Sequence, residues 1–298
     1  MTVHEAFENF IYSRHLKGLS DKTIESYRLL TARFIDYIGA DFEMESITQG
    51  NIEQFVESLY SRSLSVASIG SYIRNTRIFL HWYEKKHEVQ YIAAEISIPR
   101  TPKKLVRLYT PDEIALIFQT VETCSPWLDA RNKAMIALML DSGLRQGEIC
   151  SLEVNNLFFD NSRMKVCGKG NKERFVPLGN LSIRFLQKYL GMRPFESKYV
   201  FVSYHGEPLS CNAVKSMTGD MQKRLPFEFS SHKLRHNFAT NYLVNQYESC
   251  GCMDIYQLMA IMGHEDTVTT QRYLHEAKNI IASRSCISHL DKVLKIVV

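Results

Sequence analysis

The sequence predicts a mainly α fold in two parts. An all-helical block occupies residues 1–97, a basic linker residues 98–108, and a larger, mostly helical unit with a small antiparallel β-sheet residues 109–298. Three observations predict this. Apolar residues recur at helical spacing through most of the chain, the period of one buried helix face. Two short alternating runs flank "GKGN" at 168–171, a hairpin pattern. Between the two parts, "IPRTPKKLVRL" carries two prolines, four basic residues and no acid, which interrupts helix and marks a linker.

Composition narrows the class. A chain of 298 residues has room for two domains of ordinary size. With 45% hydrophobic and 23% charged residues it is globular. The longest purely apolar run, "AMIALML" at 134–140, is too short to cross a bilayer. The opening "MTVHEAFENF" has an early acid and no apolar core, so no signal peptide is expected. The seven cysteines contain no Cys-x-x-Cys pair, and Cys250 and Cys252 lack the partners a zinc site needs. A reduced, cytoplasmic protein is expected. The net charge of +4 permits a nucleic-acid partner without requiring one.

The elements follow in order. An opening helix runs around Phe7 and Phe10. The next starts at the N-cap Ser20 and stops at Gly39, with Ile24, Tyr27, Leu30, Phe34 and Ile38 on one face. A third is capped by Thr48 and buries Ile52, Phe55, Val56 and Leu59. A fourth uses Ile69, Ile73, Leu80 and Tyr83, and carries Arg74, Arg77, Lys85 and Lys86 beside its apolar stripe, facing either solvent or phosphates. After the linker, Thr110, Pro111 and Glu113 spell a capping box with proline at the first helical position. "ARNKAMIALMLDSGLRQGEICSL" reads as a buried helix, a glycine break and a second helix start. "RMKVCGKGNKERFVPLG" is the hairpin, "YVFVS" a further strand, and everything past Ser210 returns to helix.

Several polar residues stand in places that packing does not demand. Arg145 follows the "DSG" helix break, and Lys169 occupies the hairpin tip. His232 and Arg235, three apart, share a face of one first turn. His264 follows Gly263 at the end of an apolar helix, and Tyr273 lies nine residues further on. Singly, each has an ordinary reading as an ion-pair partner, a solvated lysine or a packed aromatic. Together they are cations, imidazoles and one phenol without a carboxylate pair, which argues against a metal-dependent nuclease. No Gly-x-x-x-x-Gly-Lys-[Ser/Thr] loop is present, which argues against nucleotide hydrolysis. Cations and one hydroxyl are what covalent attack on a phosphodiester requires.

Four stretches carry a resemblance. "GLRQGEI" at 143–149, "GKGNKERFVPL" at 168–178, "HKLRHNFAT" at 232–240 and "MGHEDTVTTQRYLH" at 262–275 look like the signature blocks of the tyrosine recombinases, or phage-type integrases, in the family's order. The helical block resembles the family's core-binding, SAM-like domain by architecture and position. The resemblance implies a site-specific recombinase that forms a 3′-phosphotyrosyl link and releases a 5′-hydroxyl, with no metal, no ATP and no other cofactor. Tyr273 would be the nucleophile. Arg145 and Arg235 would hold the scissile phosphate, Lys169 would protonate the leaving oxygen, His232 would take the tyrosine proton, and His264 would hydrogen-bond a phosphate oxygen. Glu148 would orient an arginine, the alternative being a surface acid on a helix. His236 is expected to point elsewhere on its helix in a structural role. Arg74, Arg77, Arg100, Lys103, Lys104, Arg107, Lys172 and Arg174 are the expected DNA contacts.

The implied partners are duplex DNA bearing a specific recombination site and three further copies of the chain. Apolar residues at Ile280, Ile281, Ile287, Leu290, Val293 and Leu294 suit a C-terminal segment that docks on a neighbouring subunit, the alternative being its own domain. The helical block starts at once, so a separate arm-site-binding domain is not expected. That points to an Xer-like enzyme, a DNA invertase or the integrase of a small mobile element. One departure from the family pattern is the longer connection "VNQYESCGCMDI" at 244–255. A type IB topoisomerase-like nicking-closing enzyme and a catalytically dead DNA-binding protein are the competing readings.

Overall fold

The computed structural model describes residues 1–89, 96–99, 107–168, 170 and 172–284. Arg100, Lys103, Lys104, Lys169 and the segment 285–298 therefore lie outside the described residues. The chain divides into two compact units, Met1–Lys104 and Leu105–Val298.

The N-terminal unit is built from α1 (Val3–Leu16), α2 (Asp21–Ile38), α3 (Gln49–Tyr60) and α4 (Val66–His87). Local chemistry sets their ends. The Thr2 and Thr48 hydroxyls accept from the backbone N–H groups of Glu5 and Asn51, and the side chains of those two residues return the bond. Ser20 holds the cap position of α2 without a side-chain bond to the backbone. Aromatic rings fill the core: the Phe10 ring lies edge-on to Tyr27 and Phe79, with centroids 5.3 and 5.6 Å apart. The Tyr83 hydroxyl satisfies itself on Glu45 at 2.7 Å. This is the expected four-helix block.

In the C-terminal unit, α5 (Pro111–Thr120) opens with the expected capping box. The central helix is α6 (Pro126–Asp141), whose Ala134, Met135, Ile136, Leu138 and Met139 are wholly buried. It packs against α8 (Asn180–Met192) and α10 (Ser231–Cys250), so it has no exposed apolar-to-polar division to show in sequence. Asp141 ties its end to α8 by accepting from Gly179 N–H and Ser182 Oγ, both at 2.8 Å. The short α7 (Gln146–Ser151), the sheet, and α9 (Cys211–Arg224), α11 (Ile255–Met262) and α12 (Thr267–Arg284) complete the unit.

The sheet is antiparallel, in the order β1 (Leu157–Phe158), β2 (Arg163–Cys167), β3 (Glu173–Pro177). Its β2–β3 hairpin is the expected one, with buried Met164 paired to buried Val176. "YVFVS" is not a strand of this sheet. Val200, Phe201 and Val202 are fully buried, but Tyr199 bridges to Glu153 and Val202 to Pro208. Its two ends have different partners, so no continuous ladder forms. No helix among the described residues is long and apolar enough to cross a membrane.

Candidate active site

The site is assembled at the C-terminal end of α11. A helix end leaves its last carbonyls without intrahelical partners and carries partial negative charge. Three arginines from three other elements donate to three successive carbonyls there. Arg174 Nε on β3 reaches Ile261 O at 2.7 Å, Arg235 Nη2 on α10 reaches Met262 O at 2.8 Å, and Arg145 Nη2 reaches Gly263 O at 2.7 Å. Arg235 Nη1 also donates to Gly143 O.

Glu148 gathers the same cations. Its carboxylate is 4% exposed and accepts from Arg145 N–H at 2.8 Å, Arg145 Nη1 at 2.9 Å, and both Arg174 Nη atoms at 2.7 and 3.0 Å. Arg145 is the N-cap residue of α7 and Glu148 its third residue, so local helix capping fixes this pair. Burial works against the Glu148 charge. Arg174 and Arg145 outweigh it and hold the carboxyl below the usual range. Arg235 is itself buried, and its affinity for a proton falls to a pKa of about 10, through burial first and the Arg145 charge next.

Gly263 makes the approach possible. Its φ of +62° is left-handed, and a Cβ there would stand 2.9 Å from Arg174 Nη1. His264 follows directly. Its Nε2 lies 3.2 Å from Arg235 Nη2 and its Nδ1 lies 2.8 Å from Thr270 Oγ1. A guanidinium can only donate, so Nε2 accepts; the neutral ring then carries its proton on Nδ1 and donates to Thr270. Burial, then the Arg235 charge, pushes the His264 pKa down to about 4, in keeping with that neutral form.

Tyr273 on α12 is 5% exposed and stacks on His264, with ring centroids 6.1 Å apart and planes at 12°. The His236 ring is also against it, with centroids 5.1 Å apart and planes at 55°. Burial raises the Tyr273 pKa, while the Arg235, Arg272 and Arg145 charges lower it. A phenol is thus held beside a cluster of guanidiniums, an arrangement able to bring a nucleophile against a bound phosphate.

Residues 107–279 match the phage integrase family, and residues 7–87 match the phage integrase N-terminal SAM-like domain. The chain belongs to the phage integrase family. Among similar proteins, a tyrosine recombinase XerC of Xylella fastidiosa is 30% identical over 275 residues, 90% of this chain and 91% of that one. A tyrosine recombinase XerD of Halalkalibacterium halodurans is 28% identical over 290 residues, 93% and 95% of the two chains. The fold is shared with a lambda integrase dimer bound to a COC′ core site, at a TM-score of 0.74 and 18% identity over 92% of this chain and 95% of that one. It is shared also with XerH bound to a palindromic difH substrate, at 0.69 and 23% over 89% and 79%. This integrase-family chain is accordingly an enzyme of the tyrosine recombinase kind.

Of the site residues expected from sequence, the structure brings together Arg145, Glu148, Arg235, His264 and Tyr273. His232 stands exposed on the first turn of α10. Lys169 is outside the described residues. The expected DNA contacts divide. Arg74 is exposed. Lys172 is exposed and paired with Glu265 at 2.5 Å. Arg107 is exposed and paired with Glu113. Arg77 is half-buried and donates to Ile96 O at 3.1 Å. Arg174 differs from its expected place on DNA: it is 13% exposed and its guanidinium is committed to Glu148 and Ile261. His236 also differs from expectation, since its ring faces Tyr273. Its Nδ1 is buried without a hydrogen-bond partner, and burial, with the Arg272 charge next, lowers its pKa to about 4. Among the described residues no group of three or more His, Cys, Asp and Glu is placed to hold a metal ion.

Proposed function

We propose that the protein cleaves and rejoins duplex DNA at a specific site, with Tyr273 as the nucleophile. The observation that carries this reading is the stack of Tyr273 on His264, whose ring accepts from Arg235. In the proposed reaction the Tyr273 oxygen attacks the scissile phosphorus, its proton passes to His232, and a 3′-phosphotyrosyl link forms as the 5′-oxygen leaves. Lys169 gives that oxygen its proton. Arg145 and Arg235 carry the charge that develops on the non-bridging oxygens. A buried phenol with a raised pKa is not ionised at pH 7, so a base must act as the bond forms. His264 donates to the phosphate only after taking a proton at Nε2, and the arriving anion favours that form. A 5′-hydroxyl from a second duplex then reverses the step and exchanges strands.

The N-terminal unit is proposed as the core-site-binding domain, the linker as a phosphate contact through Arg100, Lys103, Lys104 and Arg107, and Arg74 and Lys172 as exposed contacts. Assembly on DNA is proposed to use the C-terminal segment 285–298. A groove of about 540 Å³, lined by Tyr247, Met253, Leu274, Lys278 and Ile281, is the surface proposed to receive it from a neighbouring subunit.

The test uses genomic DNA and two proteins, the wild type and Tyr273→Phe. After denaturation in SDS, DNA still attached to protein is captured and its junctions sequenced. Adducts at discrete sites with the wild type alone are expected. Adducts that persist in Tyr273→Phe would overturn the assignment. Adducts without sequence preference would favour a topoisomerase-like enzyme.

A further inference from the structure

We propose that Cys250 and Cys252 form a reversible dithiol–disulfide site, oxidised by small-molecule disulfides, at the rim of the groove between α10 and α12. The pair lies where α10 ends, Cys250 being its last residue. The two sulfurs are 3.0 Å apart and both side chains are exposed. Gly251 between them, at φ +71°, ends α10 in the left-handed conformation and folds Cys252 back toward Cys250. Closing such a contact to the roughly 2.05 Å of an S–S bond takes about 1 Å of motion in side chains at a helix end.

The two thiols are not equivalent. The contact between the two thiols lowers the Cys250 pKa and raises that of Cys252. Cys250 is therefore the attacking thiolate and Cys252 the resolving thiol. In the first step the Cys250 thiolate attacks one sulfur of the small disulfide and expels one small thiolate, leaving a mixed disulfide. In the second, Cys252 gives up its proton and attacks Cys250 Sγ, expelling the second small thiolate. Two protein thiols are oxidised, one small disulfide is reduced to two thiols, and the two protons end on those thiols. Cys150 and Cys211 also interact, but burial first, and Cys211 next, push the Cys150 pKa up to about 12, so that pair does not compete.

Oxidation has a structural consequence. Cys250 Sγ donates to Gln246 O at 3.0 Å, and the Gln246 side chain holds Asp254 N–H at 2.5 Å and Gln257 at 2.9 Å. Forming the disulfide removes the thiol proton that makes the first of these bonds. Gly251 lines the groove, so the change occurs on its wall.

The test needs no DNA, so it stands apart from the recombination reading. The full-length protein is equilibrated in buffers of stepped ratios of oxidised to reduced glutathione, alkylated, digested and weighed. The peptide spanning Cys250 and Cys252 is expected to lose two hydrogens and escape alkylation as oxidant rises, and to recover both with dithiothreitol. Cys252→Ser should accumulate the glutathione adduct on Cys250, and Cys250→Ser should react at least tenfold more slowly. Wild-type protein that stays fully alkylatable in excess oxidant, or that stops at the mixed disulfide, would overturn the proposal.

Discussion

Glu148 and Arg174 show how much one residue's neighbours decide its role. Glu148 is a buried carboxylate held by four hydrogen bonds from two arginines, two of them from Arg174. Removing Arg174 leaves Glu148 with its two bonds from Arg145, so the cost is that of lost charge-assisted hydrogen bonds and not of a fully unpaired buried charge. Arg174→Ala is therefore expected to lower stability by about 1–3 kcal/mol, read from the denaturant midpoint of the C-terminal unit. Lysine cannot reproduce the two-pronged contact, so Arg174→Lys should recover only part of the loss. A phosphate contact would behave differently, since removing one lowers the slope of log affinity against log salt by about 1. For Arg174→Ala that slope should not change in the fraction that folds. Unchanged stability with a reduced slope would return Arg174 to the DNA. The sequence did carry a sign of its inward direction. Arg174 is two residues from buried Val176 and so shares its face of β3, while Phe175 between them is 51% exposed. His236 is similar: it follows His232 by four, one helical turn, so the two share a face of α10. Both signals were masked by composition, because a strand reading "KERF" and a helix reading "RHN" look solvated.

At the scale of elements, the helices, their caps and the hairpin were legible because local rules decide them. Thr48, Thr110 and Gly39 mark ends whose unpaired backbone groups need those residue types. What no local rule supplies is the meeting of Arg145, Arg174 and Arg235 on the last carbonyls of α11. Those residues come from three elements far apart in the chain, and only packing places them there. Gly263 is where that packing can be tested. Gly263→Ala meets two costs: about 1–2 kcal/mol for a left-handed alanine, and displacement of the Arg174 guanidinium by the new Cβ. Gly263→Asn separates them, because asparagine tolerates the left-handed conformation but still carries a Cβ. The alanine variant should melt below the wild type and give fewer covalent adducts. If the asparagine variant matches the alanine one in both, the clash dominates. If asparagine is wild-type-like in both, the backbone conformation is the whole requirement.

For the molecule as a whole, the buried imidazoles set an acid limit to stability. His236 and His264 titrate near 6.5 when unfolded and at about 4 in the folded chain, each lowered first by burial and then by a neighbouring arginine. Between those values the unfolded chain binds more protons than the folded one, so stability rises with pH. The contribution is fully present above about pH 6.5 and is lost as pH falls toward about 4. Glu148 acts lower: its carboxyl is depressed from 4.5, so its contribution is lost only as pH falls below that value. Both histidines belong to the C-terminal unit, so thermal melts should show its transition dropping from pH 6.5 to 4 before carboxylate titration sets in. His236→Phe keeps a ring against Tyr273 and removes one proton site, so it should flatten that slope. An unchanged slope would mean that His236 takes its proton without unfolding cost. His264 supplies the remaining contrast. A phosphate seated among Arg145 and Arg235 would favour its protonated form, so duplex DNA bearing the recombination site should protect the unit against acid more than it does at pH 7.5. Equal protection at both pH values would mean that His264 keeps its neutral, Arg235-accepting form when DNA is bound.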